Sequence, residues 1–183
     1  MAPRVLKTET LYRGRALSLR CDEVEYAPGR STRLEIVDHA QAVVVLPLDQ
    51  DHNIWFVRQY RHAAGQELLE LPAGLLLPGE LPEEGARREL QEEIGMTAAT
   101  LAPLLSFWLA PGYSTEYMHT FVATGLSPAP LAQDEDEVLI VEKVPLAQAL
   151  ALALALANDP VRDAKTILVL LAAARRYGWK LPL

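Results

Sequence analysis

The chain has 183 residues, of which half are hydrophobic and 22% are charged, and its formal net charge is −7. This length and composition predict one globular domain with a buried core and room for a small appendage, and they exclude a disordered or fibrous chain. The acidic balance argues against a nucleic-acid partner, because binding along a phosphate backbone requires clustered lysine and arginine.

Features that would indicate export or a membrane are missing from the sequence. The single cysteine, Cys21, excludes an internal disulfide, and the N-terminus lacks the apolar core of a signal peptide. The uncharged apolar run from Val144 to Ala157 covers about 14 residues, fewer than the roughly 20 that span a bilayer. We therefore predict a cytoplasmic protein with no membrane partner.

The first 40 residues alternate short β-prone runs, with a turn at "APGRS", and predict a small β-hairpin region. Residues 41–183 then form the main domain. Its first two runs, "AVVVLPL" and "IWFVRQY", flank the turn-forming "DQDHN" and predict a buried hairpin. The segment "ELLELPAG" predicts one further strand that ends at Pro72 and Gly74.

The segment "LLLPGELPEEGARRELQEEIG" then passes through a loop into a helix that is closed by Gly95. Further strands are expected at 101–109, 117–124 and 137–143. Two helices complete the chain, one at about 146–157 and one that begins with Asp159 as N-cap and Pro160 at the first helical position and runs to about Arg176.

The helix before Gly95 is unusually rich in carboxylates. At 100° per residue, Ala86, Leu90 and Ile94 form an apolar stripe, and Glu89 and Glu93 lie at its border. Like charges one turn apart repel, and a position beside a core removes them partly from water, so a positive partner is required. An exposed, salt-bridged helix is the alternative, and it accounts for Arg88 and Glu92 but not for the two border glutamates.

A divalent cation is the natural positive partner of these glutamates. Carboxylate ligands without nearby histidine or cysteine suit Mg²⁺ or Mn²⁺ better than Zn²⁺. Since Mg²⁺ commonly shares its remaining coordination sites with phosphate oxygens, the expected substrate carries phosphates.

The longer spacing around this helix resembles the signature of the Nudix hydrolases at every specified position. The matching residues are Gly74, Glu80 after five residues, and after seven more Arg88, Glu89, Leu90, Gln91, Glu92, Glu93, Ile94, Gly95 and Met96. The resemblance implies an α/β fold, an α/β/α sandwich with a mixed β-sheet, and hydrolysis of a nucleoside diphosphate linked to another group.

By this resemblance Glu89, Glu92 and Glu93 are the metal carboxylates, with Glu89 and Glu93 as the direct ligands and the carbonyl of Ala73 as a further ligand. Arg88 is implied to orient a glutamate through a charge-assisted hydrogen bond.

A second resemblance, to the ADP-ribose pyrophosphatase subfamily, comes from Pro111 in "LAPGYSTEYMH", sixteen residues after Gly95, and from "FVRQYRH" and "ELPAGL". A plain turn between two strands would also explain Pro111. The implied substrate contacts are Arg58, Arg61, Glu70, Pro111 and Glu116. Arg61 is favoured over Arg58, although both could be strand-edge charges, and Glu70 could be a solvated strand residue.

The acidic run "QDEDEV" lies where this subfamily places a catalytic glutamate. The resemblance makes Glu137 the first choice and Glu135 the second for the general base, although acidic loops are most often only solvated. It also implies a homodimer formed through residues 1–40. The expected reaction is Mg²⁺-dependent hydrolysis of ADP-ribose to AMP and ribose 5-phosphate. The alternatives are another ADP-sugar, GDP-mannose, or a dinucleotide such as FAD or NADH, and a non-catalytic ADP-ribose sensor.

Overall fold

The structure is a computed structural model, and it describes residues 2–132, 138–154 and 161–181. The strands are β1 (Arg4–Arg13), β2 (Leu17–Ala27), β3 (Arg30–His39), β4 (Ala42–Pro47), β5 (Asn53–Arg61), β6 (Gln66–Glu70), β7 (Ala73–Leu75), β8 (Met96–Trp108), β9 (Tyr117–Pro128) and β10 (Ile140–Pro145). The helices are α1 (Pro82–Ile94), α2 (Leu146–Leu154) and α3 (Ala164–Tyr177), with a short 3-10 helix at His62–Ala64.

The chain divides into two compact units. The first unit runs to Gln41 and also includes Phe107–Met118. Its β1, β2 and β3 form an antiparallel sheet in sequence order, and the β2–β3 turn uses Gly29 at a φ of 74°. Glycine suits this left-handed conformation because it carries no Cβ. The predicted β-hairpins of the N-terminal region are therefore present.

The second unit, Ala42–Ser106 and His119 onward, contains two sheets. One has the order β7-β4-β9-β8 and the other β10-β5-β6. The predicted buried hairpin of "AVVVLPL" and "IWFVRQY" is wrong, since β4 and β5 lie in different sheets, with the Leu48–Ile54 bridge at the turn between them. The turn does form around Asp49, but β7 and β9 occupy both edges of β4, so β5 pairs with β10 and β6.

The single strand predicted for "ELLELPAG" is in fact two strands. β6 ends at Glu70 and pairs with β5, whereas β7 begins at Ala73 and pairs with β4. Pro72 lies between them and has no N–H for a ladder, although its carbonyl accepts from the Val45 N–H at 2.9 Å. The chain therefore changes sheets immediately before the glutamate-rich helix.

Helices pack on the central strand β4. Val43 and Val45 lie in one buried cluster with Ala86 and Leu90 of α1. The alternate residues of β4 are equally buried and point to the other face, and α3 also contacts this strand. This arrangement confirms the predicted α/β fold with a mixed sheet.

The C-terminal helices differ in part from the prediction. α2 begins at Leu146 as expected and is described as far as Leu154. The expected N-cap pair Asp159 and Pro160 lies outside the described residues, but residues 161–163 are not helical. α3 instead begins after Asp163, whose carboxylate accepts from the Thr166 N–H at 3.0 Å. The predicted start of this helix is therefore wrong.

The later strands are longer or shifted relative to the prediction. β8 begins at Met96, directly after Gly95, because a glycine at a φ of 68° lets the chain reverse without a linker. β9 extends to Pro128, and β10 begins at Ile140. In the part of the chain that the structure describes, no helix has the length and hydropathy that a bilayer crossing would need.

Candidate active site

Helix α1 carries the carboxylates, and its ends are defined by local sequence. Pro82 occupies the first turn, and the Glu84 carboxylate accepts from the Leu81 N–H at 3.1 Å, which satisfies a backbone donor before the helix. At the other end the Gly95 N–H donates to the Leu90 carbonyl. The helix therefore runs from Pro82 to Ile94 and holds its glutamates in fixed register.

Glu89 and Glu93 are buried, as the helical periodicity predicts. They are only 7% and 2% exposed. The Ala73 N–H at the start of β7 donates to Glu93 Oε2 at 2.9 Å, so this carboxylate lies against the strand rather than in solvent. Burying a carboxylate costs free energy unless it has such partners, so the buried position of Glu93 depends on this hydrogen bond.

Gly74 fits the Glu89 carboxylate closely. A Cβ built at residue 74 would lie 2.0–2.4 Å from the two Glu89 carboxylate oxygens and Cδ, which no real contact allows. The backbone of β7 therefore approaches Glu89 as nearly as it can, and only glycine permits this approach. Its φ is not positive, so the requirement comes from space and not from backbone conformation.

Arg88 is the centre of an ion cluster. Its guanidinium donates to Glu80 at 2.9 and 3.0 Å, to Glu89 at 2.6 Å, to Glu92 at 2.8 Å and to the Leu75 carbonyl at 2.8 Å. These bonds raise the pKa of Arg88 above its ordinary value, with Glu80 as the largest cause. Arg88 therefore orients Glu89 and Glu92 and also ties the preceding loop to the helix.

Glu80 anchors that loop. Its pKa is lowered, chiefly by the hydrogen bonds from Arg88, and burial opposes this shift. Glu80 Oε2 also accepts from the Leu77 N–H at 2.9 Å. The loop between β7 and α1 is thus closed on itself and on the helix by one carboxylate.

The donor set around α1 fits a hard divalent cation. Glu89, Glu92 and Glu93 offer only oxygen, as Mg²⁺ and Mn²⁺ prefer, and the cradle at Gly74 brings backbone beside Glu89. Within residues 2–132, 138–154 and 161–181, no three acidic, histidine or cysteine side chains already converge at metal-binding distance. Glu89 and Glu92 are instead drawn together by Arg88.

Arg61, at the end of β5, faces a second buried carboxylate. Its Nε and Nη2 each donate to Glu70 at 2.7 Å, in the parallel two-bond geometry that a guanidinium makes with a carboxylate. Glu70 is 1% exposed. Burial would raise the pKa of Glu70, but hydrogen bonds from Arg61 and the charge of Lys165 lower it below its ordinary value.

Charged residues of the site also affect the pKa of Arg61. Its pKa is raised, first by the Glu70 hydrogen bonds and further by the nearby charges of Glu93 and Asp163. The structure therefore brings Arg61 and Glu70 near the α1 carboxylates, and the alternative of a solvated Glu70 is excluded by its burial.

Arg58 lies three residues before Arg61 on β5, which places the two side chains on opposite faces of the strand. The Arg58 guanidinium forms an ion pair with Glu142 of β10 through Nε, and Nη2 donates to the same carboxylate at 3.1 Å. Val57, on the Arg61 face, packs with the α1 residues. This placement separates Arg58 from the glutamates and agrees with the preference for Arg61.

Four other predicted residues belong to the first unit or lie outside the described residues. Pro111 and Glu116 belong to the first unit, where Glu116 lies 3.9 Å from His39 Nδ1. Glu135 and Glu137 lie outside the described residues. The roles of all four remain predictions.

Lys165 is a site residue that sequence reasoning missed. Its Nζ donates to Glu70 Oε2 at 2.6 Å, from a position 95 residues away in the chain. No local motif marks this lysine, because its significance depends on α3 packing beside the β6–β7 junction. The single available signal was a charged residue in the first turn of a helix whose middle is apolar.

Comparisons with known proteins show the family to which the chain belongs. The sequence pattern of the family described as NUDIX domain matches residues 38–167. The chain therefore belongs to the NUDIX family, and it is a Nudix hydrolase. Enzymes of this family generally use divalent cations.

Two relatives and one solved structure are similar to this chain. The chain is 37% identical to "ADP-ribose pyrophosphatase" of Bacillus subtilis (strain 168), over 89% of this chain and 88% of that protein. It is 36% identical to "Methanol dehydrogenase activator" of Bacillus methanolicus, over 90% and 89% of the two chains. A solved structure described as "ADP compounds hydrolase" superimposes with a TM-score of 0.86 at 28% identity, covering 97% of this chain and 95% of the other.

Proposed function

We propose that the protein is a Mg²⁺-dependent ADP-ribose pyrophosphatase that releases AMP and ribose 5-phosphate. The observation that carries this proposal is the pair of buried carboxylates, Glu89 and Glu93, held against the backbone of Ala73 and Gly74. The name of the Bacillus subtilis relative supports ADP-ribose as the substrate.

In this proposal Glu89, Glu92, Glu93 and the Ala73 carbonyl hold the Mg²⁺. When bound, the ion neutralises charge on the non-bridging phosphate oxygens and helps to activate water. Arg88 keeps Glu89 and Glu92 oriented while the site is formed. Glu137, or failing it Glu135, accepts the proton of the attacking water.

Arg61 is proposed as the fixed donor to the diphosphate. Glu70 engages its Nε and Nη2, so the guanidinium is held rigid and Nη1 can donate to a phosphate oxygen without a further loss of side-chain entropy. Arg58, Pro111 and Glu116 remain proposed contacts to other parts of the substrate.

A substrate panel tests this function. Purified protein is assayed with Mg²⁺, Mn²⁺ or Zn²⁺ against ADP-ribose, a second ADP-sugar, GDP-mannose, FAD and NADH, and the products are identified by chromatography. We expect the highest kcat/KM for ADP-ribose with Mg²⁺, and AMP with ribose 5-phosphate as products. Equal or faster turnover of GDP-mannose or FAD would contradict the substrate assignment.

A sensor function would give a different result in the same experiment. Calorimetry would then detect ADP-ribose binding while no AMP appeared with any of the three metals. The intact glutamate set on α1 favours hydrolysis. The protein is further proposed to act in the cytoplasm as a homodimer, without nucleic acid or membrane as partners.

A further inference from the structure

Glu70 is the most deeply buried carboxylate near the site, and two cations from different elements hold it. Arg61 approaches from β5 and Lys165 from the first turn of α3. Lys165 is itself only 9% exposed. Arg61 donates to both Glu70 oxygens, and Lys165 adds a third bond at Oε2, so the two cations together fix the position of this carboxylate.

The position of Lys165 is fixed by its own helix. Asp163 caps α3 through Oδ2, which accepts from the Thr166 N–H at 3.0 Å, and its Oδ1 lies 3.0 Å from Lys165 Nζ. The ammonium group therefore lies between two carboxylates, those of Glu70 and Asp163. A lysine side chain is flexible, and these contacts at both sides define where its charge lies.

The same turn of α3 holds the backbone that follows Glu70. The Leu71 N–H donates to Thr166 Oγ1 at 2.9 Å, and Thr166 is fully buried. Two residues later the Ala73 N–H donates to Glu93. The short segment 70–73 therefore connects the start of α3 to both Arg61 and the glutamate helix.

We propose that Lys165 is a positioning residue for substrate binding: it fixes Glu70, and Glu70 in turn fixes the Arg61 guanidinium that receives the diphosphate. This inference rests on the proposed function, since it requires Arg61 to contact the substrate. Arg58 offers an internal contrast. Its partner Glu142 has a side chain that is 34% exposed, whereas that of Glu70 is 1% exposed.

The test compares Lys165→Met, Lys165→Arg and a matched control, Arg175→Met, which removes a cation from the exposed far end of the same helix. We measure kcat and KM with Mg²⁺, and the Kd for the same nucleotide in EDTA by calorimetry. For Lys165→Met we expect KM and Kd to rise about ten-fold, as is typical when a group that orients a ligand-binding side chain is lost, with kcat nearly unchanged. Lys165→Arg should restore both constants, and Arg175→Met should leave them unchanged.

A double-variant comparison separates positioning from general stability. In a Glu70→Gln background, Lys165→Met should add less than about a two-fold change in Kd, because the residue through which it acts is already altered. Equal ten-fold losses in both backgrounds, an unchanged KM in Lys165→Met, or no recovery in Lys165→Arg would overturn the inference. Circular dichroism checks the fold, and Lys165→Gln replaces Lys165→Met if the latter does not fold.

The nucleotide for these measurements is whichever member of the substrate panel the wild type hydrolyses fastest. An active wild type whose KM does not depend on Lys165 refutes only the role of Lys165. A wild type that hydrolyses none of the panel refutes the proposed function and this inference together.

Discussion

Glu89 and Glu93 are held in different ways although they lie one turn apart on α1. Glu89 pairs with Arg88 and faces Gly74, whereas Glu93 accepts a backbone hydrogen bond from Ala73. Both are nearly removed from water, so each depends on a small number of exact contacts. Replacing the charge while keeping the shape is therefore the cleanest test of their role.

Glu89→Gln and Glu93→Gln should each lower kcat by about 10²- to 10³-fold, because the amide keeps the volume but removes the negative charge that a divalent cation requires. Steady-state AMP release measures this loss, and circular dichroism checks the fold. Glu83→Gln is the matched control on the same helix, since Glu83 is exposed and pairs with Arg87 at 3.2 Å. Full activity in both site variants would refute the metal assignment.

Gly74→Ala should lower kcat by about 10²-fold and stability by about 1–3 kcal/mol, because the new methyl group overlaps the Glu89 carboxylate and must displace it. Turnover and thermal melting measure the two effects. The double variant Gly74→Ala/Glu89→Gln should be no less active than Glu89→Gln alone. Independent, multiplying losses would show that Gly74 acts elsewhere.

At this scale the sequence predicts whatever is local to one helix. The border position of Glu89 and Glu93 follows from a 100° periodicity, and the Arg88–Glu92 contact follows from their four-residue spacing. The signature spacing singles out Gly74 but gives no reason for it. That reason, and the role of Lys165, arise from strands and helices that meet only in the folded chain.

At the scale of elements, α1 and the loop before it behave as one unit. Arg88 reaches back to Glu80 and to the Leu75 carbonyl, and Glu80 closes the loop on the Leu77 N–H. One side chain therefore joins the end of β7 to the middle of the helix. A lysine in its place has the same charge but cannot make this planar, multiple contact.

Arg88→Lys should increase hydrogen exchange of residues 75–81 by about ten-fold while exchange in the second half of α1 changes little, because the loop loses its anchor but the helix keeps its capping. Hydrogen–deuterium exchange with mass spectrometry measures both segments. Arg87→Lys is the comparison, since Arg87 bonds to the Ala98 carbonyl and Glu83 instead of the loop. Identical exchange in wild type and Arg88→Lys would contradict this interpretation.

The boundaries of elements were predictable where one residue type decides them. Gly95 ends α1 as expected, because a left-handed residue terminates a helix. The predicted start of α3 at Asp159 is wrong, because the Asp163 carboxylate accepts from the Thr166 N–H and caps the helix instead. The predicted hairpin of β4 and β5 is wrong for another reason. The sheet that a strand joins depends on the other strands that compete for its edges.

At the scale of the whole molecule, the first unit exposes apolar surface on an edge strand. β1 is an edge strand of the β1-β2-β3 sheet, and every residue of β1 is exposed. Val5, Leu11 and Tyr12 are among its large apolar side chains, 47–58% exposed. Exposed apolar side chains on an edge strand favour association with a partner, and the homodimer stays a prediction.

Val5→Asp/Leu11→Asp should convert the expected dimer to a monomer, because charges on this surface would be buried unpaired in an interface. Light scattering after size exclusion should give twice the 20.2 kDa chain mass for the wild type and 20.2 kDa for the variant. Thr10→Asp introduces charge on the same strand without removing an apolar contact. A monomeric wild type, or a variant that stays dimeric, would refute the role of β1.

The overall architecture was predictable mainly through the signature spacing, since strand order alone is compatible with several α/β folds. The β-prone runs of the N-terminal 40 residues indicated the strands that form there. That residues 107–118 belong to the same unit could not be foreseen, because it depends on long-range contacts such as the Val37–Ser114 bridge.

The contacts of the site differ greatly in how far along the chain they reach. The Arg88–Glu80 bonds span eight residues, whereas the Lys165–Glu70 bond spans 95. Long loops close late because their entropy cost precedes any compensating contact. In stopped-flow refolding we therefore expect the circular dichroism signal of the helices to recover before nucleotide binding does. Newly made chains would then form their acidic helix before they can bind a substrate.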